Sequence, residues 1–195
     1  MVCFGDSLTA GESSYTTVLQ ERLGKKGIEV INSGRGGDKT PTALTRIYKD
    51  VIDLKPTAVS IFLGTNDMAI GRSIWSDEPL VQPSTFKDLL IWMVHLCRLH
   101  GKIEKFSIAT PMMKLEGKAF HSYAFIGHDY GKAAREAAEA SNALCVPLDT
   151  VFFETWLERR NQAIDGLVLT EDGTHCTPEG YAMIADTMMK TWNLL

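Results

Sequence analysis

Four short stretches of this chain combine side chains able to move an acyl group with glycines that leave them room. They are Gly5-Asp6-Ser7-Leu8, Asn32-Ser33-Gly34-Arg35-Gly36-Gly37-Asp38, Gly64-Thr65-Asn66-Asp67 and Asp172-Gly173-Thr174-His175. Acyl transfer needs a hydroxyl nucleophile, a base for its proton, a group that orients the base, and donors for the developing oxyanion. Ser7 offers the hydroxyl, and His175 is the only histidine within the four stretches. Asp172 stands three residues before His175, so one tight turn can bring its carboxylate to Nδ1–H and leave Nε2 to face Ser7. Gly37 presents a backbone N–H uncovered by a side chain, Asn66 an amide, and Ser7 its own N–H, which makes three candidate oxyanion donors.

Each stretch alone has a plainer meaning. Gly-Asp-Ser is a common turn tripeptide, Asn66-Asp67 can close a strand as an Asx-turn, and Asp172 can serve only the turn before a helix. The glycine-rich stretch lacks the GxGxxG spacing of a dinucleotide loop and the GKS/GKT ending of a P-loop, which weighs against nucleotide binding. Together, in order and each placed where a strand ends or a helix begins, four coincidences are hard to sustain.

The elements that must position these stretches are legible as apolar runs alternating with amphipathic ones. Met1–Phe4, Ile28–Ile31, Ala58–Leu63, Phe106–Ala109 and Leu144–Leu148 read as strands, continuous enough to be buried on both faces of a parallel sheet. Phe86, Leu89, Leu90, Met93, Val94 and Cys97 follow helical spacing, with Gly101 placed to end the helix. The last helix is the clearest: Thr177 to cap it, Pro178 in its first turn, and an apolar stripe from Tyr181 through Ile184, Ala185, Met188 and Met189 to Trp192. Five strands alternating with helices predict a three-layer α/β/α sandwich with right-handed crossovers, formed as a single domain over residues 1–195. Ligands of such sheets bind beyond the carboxyl ends of the strands, where the four stretches fall.

Composition narrows the function classes. With 45% hydrophobic and 23% charged residues and a net charge of −4, the chain reads as a soluble globular protein without the basic face that nucleic acid or an anionic membrane requires. No run of about 18 apolar residues offers a membrane span, so no stable membrane insertion is expected. Cys3, Cys97, Cys145 and Cys176 are far apart and show no CxxC pairing; the first three sit in apolar runs as small core residues, which weighs against a metal set or the two bridges that four cysteines could form. His95 and His100 flank Arg98 on or beside a helix with poor ligand spacing, so no metal is expected there. Met1–Phe4 begins a strand with no secretory segment before it, which predicts a cytoplasmic protein, or a secreted one whose leader has been removed.

The four stretches resemble the sequence blocks of the SGNH hydrolases, also called the GDSL esterase/lipase family. Gly5-Asp6-Ser7-Leu8-Thr9 matches the first block and Asn32 through Gly37 the second, with Gly64-Thr65-Asn66-Asp67 matching the third and Asp172 through His175 the last. The resemblance implies a flavodoxin-like five-stranded parallel sheet. It also implies Ser7 as nucleophile, His175 as base, Asp172 as its orienter, and an oxyanion hole of Ser7, Gly37 and Asn66. The activity it implies is carboxylic ester hydrolysis through an acyl-enzyme, with no metal or organic cofactor. Thioesterase, lysophospholipase and acyltransferase chemistry fit the same site. From another class, a carbohydrate- or phosphate-binding module would have no need of all three triad residues. A small domain without a broad apolar run favours a small-molecule or carbohydrate ester with a short acyl group, such as O-acetyl on a sugar. Trp75, in the loop after the third block, and Phe120, Tyr123 and Phe125, in the long segment from Pro111 to Gly131, are candidates to line its pocket. Asp149 reads as a helix-capping residue at the end of the fifth strand, and Asp6 and Asp67 as partners of nearby loop amides.

Overall fold

The computed structural model describes residues 1–69, 79–112, 115–117 and 120–195, the side chains of 120–126 excepted. In chain order the elements are β1 (Val2–Gly5), α1 (Ser7–Ala10), α2 (Tyr15–Gly24), β2 (Ile31–Gly34), α3 (Thr40–Thr45), α4 (Ile47–Asp50), β3 (Ala58–Phe62), α5 (Pro83–Gly101), β4 (Lys105–Ala109), α6 (Phe120–Ala140), β5 (Leu144–Val146), α7 (Leu148–Arg159) and α8 (Pro178–Thr191). The strands pair in parallel in the order β2-β1-β3-β4-β5. Strand order reverses between β1 and β3, so the crevice beyond their carboxyl ends is the switch point where ligands of such sheets bind.

The two-residue period of the central strands divides the core into two layers. Val2 and Phe4 of β1, Val59 and Ile61 of β3, and Phe106 and Ile108 of β4 pack with α3 to α6 through Ala43, Ile47, Phe86, Met93 and Ala134. Cys3, Phe62 and Ala109 face the other way, against Leu19 and Leu23 of α2, Phe152 of α7 and Ile184 and Met188 of α8. Helices therefore cover both faces, as the alternation of runs predicts. Thr177 caps α8 by accepting from the Gly180 N–H at 3.2 Å, and Ile184, Ala185, Met188 and Met189 are buried along its stripe. At the other predicted terminus, α5 includes Gly101, and Lys102 takes the left-handed conformation at φ 54°. Among the described residues, no helix is long and apolar enough to cross a membrane.

Three segments differ from the sequence reading by more than one residue. β2 runs from Ile31 to Gly34 rather than from Ile28 to Ile31, because its register with β1 pairs Val2 with Ile31 and Gly5 with Gly34. It is an edge strand, half-covered, and so carries Asn32 and Ser33 where a central strand would carry apolar residues. β5 stops at Val146, since Pro147 has no N–H for the ladder and α7 starts at Leu148. The segment from Pro111 to Gly131 is not a long loop throughout: α6 begins at Phe120. Gly127 and Gly131 both lie inside that helix.

Gly131 is there because of Asp149. A Cβ at Gly131 would stand 2.4 Å from Asp149 Oδ2. Asp149 cannot swing aside, since it accepts two hydrogen bonds from Arg135 at 2.6 and 2.7 Å and one from the Thr110 hydroxyl at 2.8 Å. Burial pushes the Asp149 carboxyl up, but the hydrogen bonds and charge of Arg135 and the bond from Thr110 hold it below the usual value. Asp149 lies in the first turn of α7 rather than at its cap, and it accepts from the Thr150 N–H at 2.8 Å while tying α7 to α6 and to Thr110 after β4.

A second buried carboxylate fixes the start of α3. Asp67, wholly buried after β3, accepts from the Thr40 N–H at 2.9 Å and the Thr40 hydroxyl at 2.5 Å through Oδ1. Its Oδ2 is buried without a hydrogen-bond partner among the described residues. Burial pushes the Asp67 carboxyl up to about 6, against the opposing hydrogen bonds from Thr40 and the charge of Lys39.

Two outcomes are expected. Overpacking costs about 1–3 kcal/mol and exceeds the roughly 1 kcal/mol that alanine gains over glycine in a helix, so Gly131→Ala should lower the melting midpoint by a few degrees. An unchanged or raised midpoint would mean that Asp149 yields. Because the folded Asp67 pKa lies above the unfolded value of about 3.9, its protonated form stabilises the fold below that value, and this is lost as pH rises through about 6. Asp67→Asn keeps the Thr40 acceptor without titrating. Wild type should therefore lose roughly 2–3 kcal/mol relative to Asp67→Asn between about pH 4 and 7, measured by denaturant unfolding; parallel pH curves would refute it.

Candidate active site

Ser7 is the first residue of α1, two residues beyond the end of β1. The turn is tight: a Cβ on Gly5 would meet Thr9 Oγ1 at 2.2 Å and the Phe62 carbonyl at 2.5 Å, so only glycine lets the strand double back into the helix. Asp6 caps that helix, its Oδ1 accepting from the Leu8 N–H at 3.0 Å, while the Asp6 carbonyl accepts from Thr9 and Ala10. Ser7 is thereby set at a helix start with its hydroxyl clear of the strand.

His175 arrives from the far end of the chain on a turn closed by a bridge between Thr170 and Cys176 and by the Glu171 N–H donating to the His175 carbonyl at 2.8 Å. Asp172 Oδ1 accepts from the backbone N–H groups of Thr174 and His175 at 2.8 and 2.7 Å, and its Oδ2 lies 2.8 Å from His175 Nδ1. Burial raises the Asp172 carboxyl, but the hydrogen bonds from His175 and Thr174 outweigh it and hold the group below its usual value. An ionised carboxylate can only accept, so Nδ1 carries the proton and Nε2 is left to accept from Ser7 Oγ, 3.2 Å away. The side chains of His175 and Asp172 are 47% and 54% exposed, so the pair sits at an open rim rather than in the core.

The donors predicted for an oxyanion come from two neighbouring loops. The Arg35 N–H bonds to the Gly5 carbonyl at 3.0 Å, and a Cβ on Gly36 would lie 4.0 Å from Ser7 Cβ, which sets the Gly36-Gly37 turn beside Ser7. Gly37 takes φ +81°, a conformation that favours glycine. Asn66 is buried, and one of its two amide hydrogens is committed to the Asp38 carbonyl at 3.0 Å. That bond ties the loop after β3 to the loop after β2, and the second amide hydrogen has no partner among the described residues. Trp75 lies outside the described residues, as do the side chains of Phe120, Tyr123 and Phe125, whose backbone forms the start of α6. Trp92 stacks on His95, and Tyr48 packs against His100, so these histidines have surface aromatic partners. No group of three or more His, Cys, Asp or Glu residues arranged to hold a metal occurs among the described residues.

Two residues that sequence reasoning missed hold this edge together. Arg46, only 8% exposed, donates to Asp38 Oδ2, Asp50 Oδ2, the Ser33 carbonyl and the Gly5 carbonyl at 2.6–2.9 Å, and its guanidinium lies 4.2 Å over the Phe4 ring. Glu116, also buried, accepts from the backbone of Val168, Leu169 and Thr170. A single arginine or glutamate between helical runs carries no periodic signal. The one hint was the Asp50 carboxylate four residues after Arg46, an i,i+4 pair.

Residues 3–183 match the model of the GDSL-like Lipase/Acylhydrolase family. An uncharacterised lipoprotein of Bacillus subtilis is 30% identical over 127 residues, which cover 60% of this chain and 51% of that protein, so the match spans about half of its length. An acetylxylan esterase of Geobacillus stearothermophilus is 24% identical over 94% of this chain and 81% of that protein. The crystal structure of an acetyl xylan esterase superposes with a TM-score of 0.84 at 25% identity, covering 97% of each chain. With the five-stranded parallel sheet and helices on both faces, these findings agree: the chain belongs to the GDSL-like lipase/acylhydrolase family of ester-hydrolysing enzymes.

Proposed function

We propose that this acylhydrolase is a single-domain serine esterase that removes short acyl groups, acetyl on a carbohydrate foremost, through a Ser7-His175-Asp172 triad. The observation that carries this reading is the unbroken line of contacts from Asp172 Oδ2 to His175 Nδ1 at 2.8 Å and from Nε2 to Ser7 Oγ at 3.2 Å. Ser7 Oγ attacks the ester carbonyl carbon while His175 Nε2 takes its proton. The carbonyl oxygen becomes an oxyanion, met by the N–H groups of Ser7 and Gly37 and the second amide hydrogen of Asn66. As the intermediate collapses, the bond to the alcohol breaks and His175 protonates the leaving oxygen. Water then attacks the acyl-Ser7 ester by the same route and releases the acid. Every proton passes through His175, and no step calls for a metal or redox group.

The substrate class rests on the acetylxylan esterases among the relatives and on the openness of the site. An exposed histidine and aspartate suit a polar alcohol such as a sugar better than a long acyl chain, which would leave apolar surface in water. Trp75, Phe120, Tyr123 and Phe125 are the side chains proposed to contact the acyl or sugar part.

Ser7→Ala should lower kcat for p-nitrophenyl acetate by roughly 10³-fold or more, because triad members act as a unit, and should abolish labelling by a fluorophosphonate probe. Near-wild-type turnover would end the triad reading. Asn66→Ala should lower kcat on the order of 10²-fold with serine labelling slowed but present; an unchanged rate would take Asn66 out of the oxyanion hole.

A further inference from the structure

We propose that Glu116 is the positioning residue that sets the Asp172–His175 turn against Ser7, an inference that rests on the triad reading above. Both of its carboxylate oxygens are engaged. Oε1 accepts from the Leu169 N–H at 2.9 Å, and Oε2 accepts from the N–H groups of Val168 at 3.0 Å and Thr170 at 2.8 Å and from the Thr170 hydroxyl at 2.5 Å. Three consecutive backbone donors and a hydroxyl thus converge on one buried side chain from 52–54 residues away in sequence. Consecutive N–H groups aimed at one point form a nest for an anion, and here the protein supplies the anion itself.

The bonds continue from this nest to the triad. The Thr170 hydroxyl that donates to Glu116 also accepts from the Gly173 N–H at 3.1 Å, the residue between Asp172 and Thr174. Leu169, whose N–H is held by Glu116, accepts from the Thr177 N–H at 2.9 Å through its carbonyl, which closes the stem of the turn. Next to Glu116, the Gly117 N–H donates to the Gly166 carbonyl at 3.2 Å, and a Cβ on Gly117 would lie 3.7 Å from Gly173 Cα. The tip itself is about half exposed, so burial does not fix where Asp172 and His175 stand. Their own hydrogen bonds run within the turn and hold its shape, leaving its location to the stem. Glu116 anchors that stem by hydrogen bonds, beside the buried side chains of Leu169 and Cys176. A shift of about 1 Å in a reacting group is enough to cost roughly 10²-fold in rate, and the Nε2–Oγ contact leaves little slack.

The test compares Glu116→Gln, Thr170→Val and Gly131→Ala in steady-state kinetics on p-nitrophenyl acetate, with melting midpoints and the downfield proton NMR signal of the His175 Nδ1–H. Glu116→Gln keeps the shape but turns an amide NH2 toward backbone donors. Its kcat should fall about 10–100-fold with KM within about threefold, and the Nδ1 proton signal should broaden or vanish. Thr170→Val, which removes only the hydroxyl between Glu116 and Gly173, should lose about tenfold in kcat. Gly131→Ala, destabilised away from the turn, should keep the wild-type kcat and proton signal. The proposal is overturned if Glu116→Gln and Thr170→Val turn over within twofold of wild type, or if Gly131→Ala loses kcat as they do for a similar drop in midpoint. Should Glu116→Gln fail to fold, Thr170→Val decides in the same terms. An active Ser7→Ala enzyme would instead sink the triad reading, whereas an inactive Ser7→Ala with a normal Glu116→Gln sinks only the role of Glu116.

Discussion

At the carboxyl end of the sheet, four loops must meet although nothing in the ladder joins them, and Arg46 ties the first two of them together. Its guanidinium takes the Gly5 carbonyl at the end of β1, the Ser33 carbonyl in β2 and the carboxylates of Asp38 and Asp50. Placing a guanidinium in a site this closed is unfavourable by several kcal/mol before its partners respond, so the two carboxylates and the carbonyls mainly offset that cost. The net gain in stability is therefore small, and what the arrangement fixes is geometry. A planar fork of five donors fits only one placement of its acceptors. Asp38 is thereby held where its carbonyl can take the Asn66 amide, and Gly5 where the turn into Ser7 begins. Lysine has one ammonium centre and could not reach all these acceptors at once.

The two halves of the site are located by different physics. Ser7 stands on close packing, because Gly5 brings strand and helix backbones to distances no larger residue allows. His175 and Asp172 stand on a rim open to water, where electrostatic attraction between side chains is screened. Their placement comes from the stem, through backbone hydrogen bonds that begin at a buried carboxylate and through the buried Leu169 and Cys176. One half is fixed by excluded volume and the other by directional bonds. Loops with little core of their own are usually positioned in the second way.

How far the sequence reveals this edge follows from that division. The GDSL stretch, the GTND stretch and the Asp172–His175 turn are local patterns, so their types and spacing are legible without the fold. So are α5 and α8, whose apolar stripes repeat along one face. β2 is hard to place because a half-covered edge strand need not be apolar, and its register comes from pairing with β1. α6 was half hidden because Gly131 answers to Asp149, a residue on another helix. Arg46 and Glu116 are illegible as site residues for one shared reason. A charged side chain in sequence reads as surface, and only the folded chain shows that each is buried to satisfy backbone or side-chain groups of a distant loop.

Asp67 also shows what this construction costs. The residue before it, Asn66, is the proposed oxyanion donor, and the Asp67 carboxylate holds the start of α3 beneath the loop that carries Asp38. A histidine base works only when unprotonated, so the proposed reaction gains from rising pH. Burial lifts the Asp67 pKa to about 6, so the same rise charges a carboxylate whose second oxygen has no partner among the described residues. Rising pH thus favours an unprotonated base while it charges Asp67 against the fold, on the loop that also carries Asn66. A neutral amide at position 67 could make the Thr40 contacts without that conflict. The acid at position 67 therefore destabilises the protein as it charges, beside the proposed oxyanion donor, and local choices that cost stability are expected at functional sites.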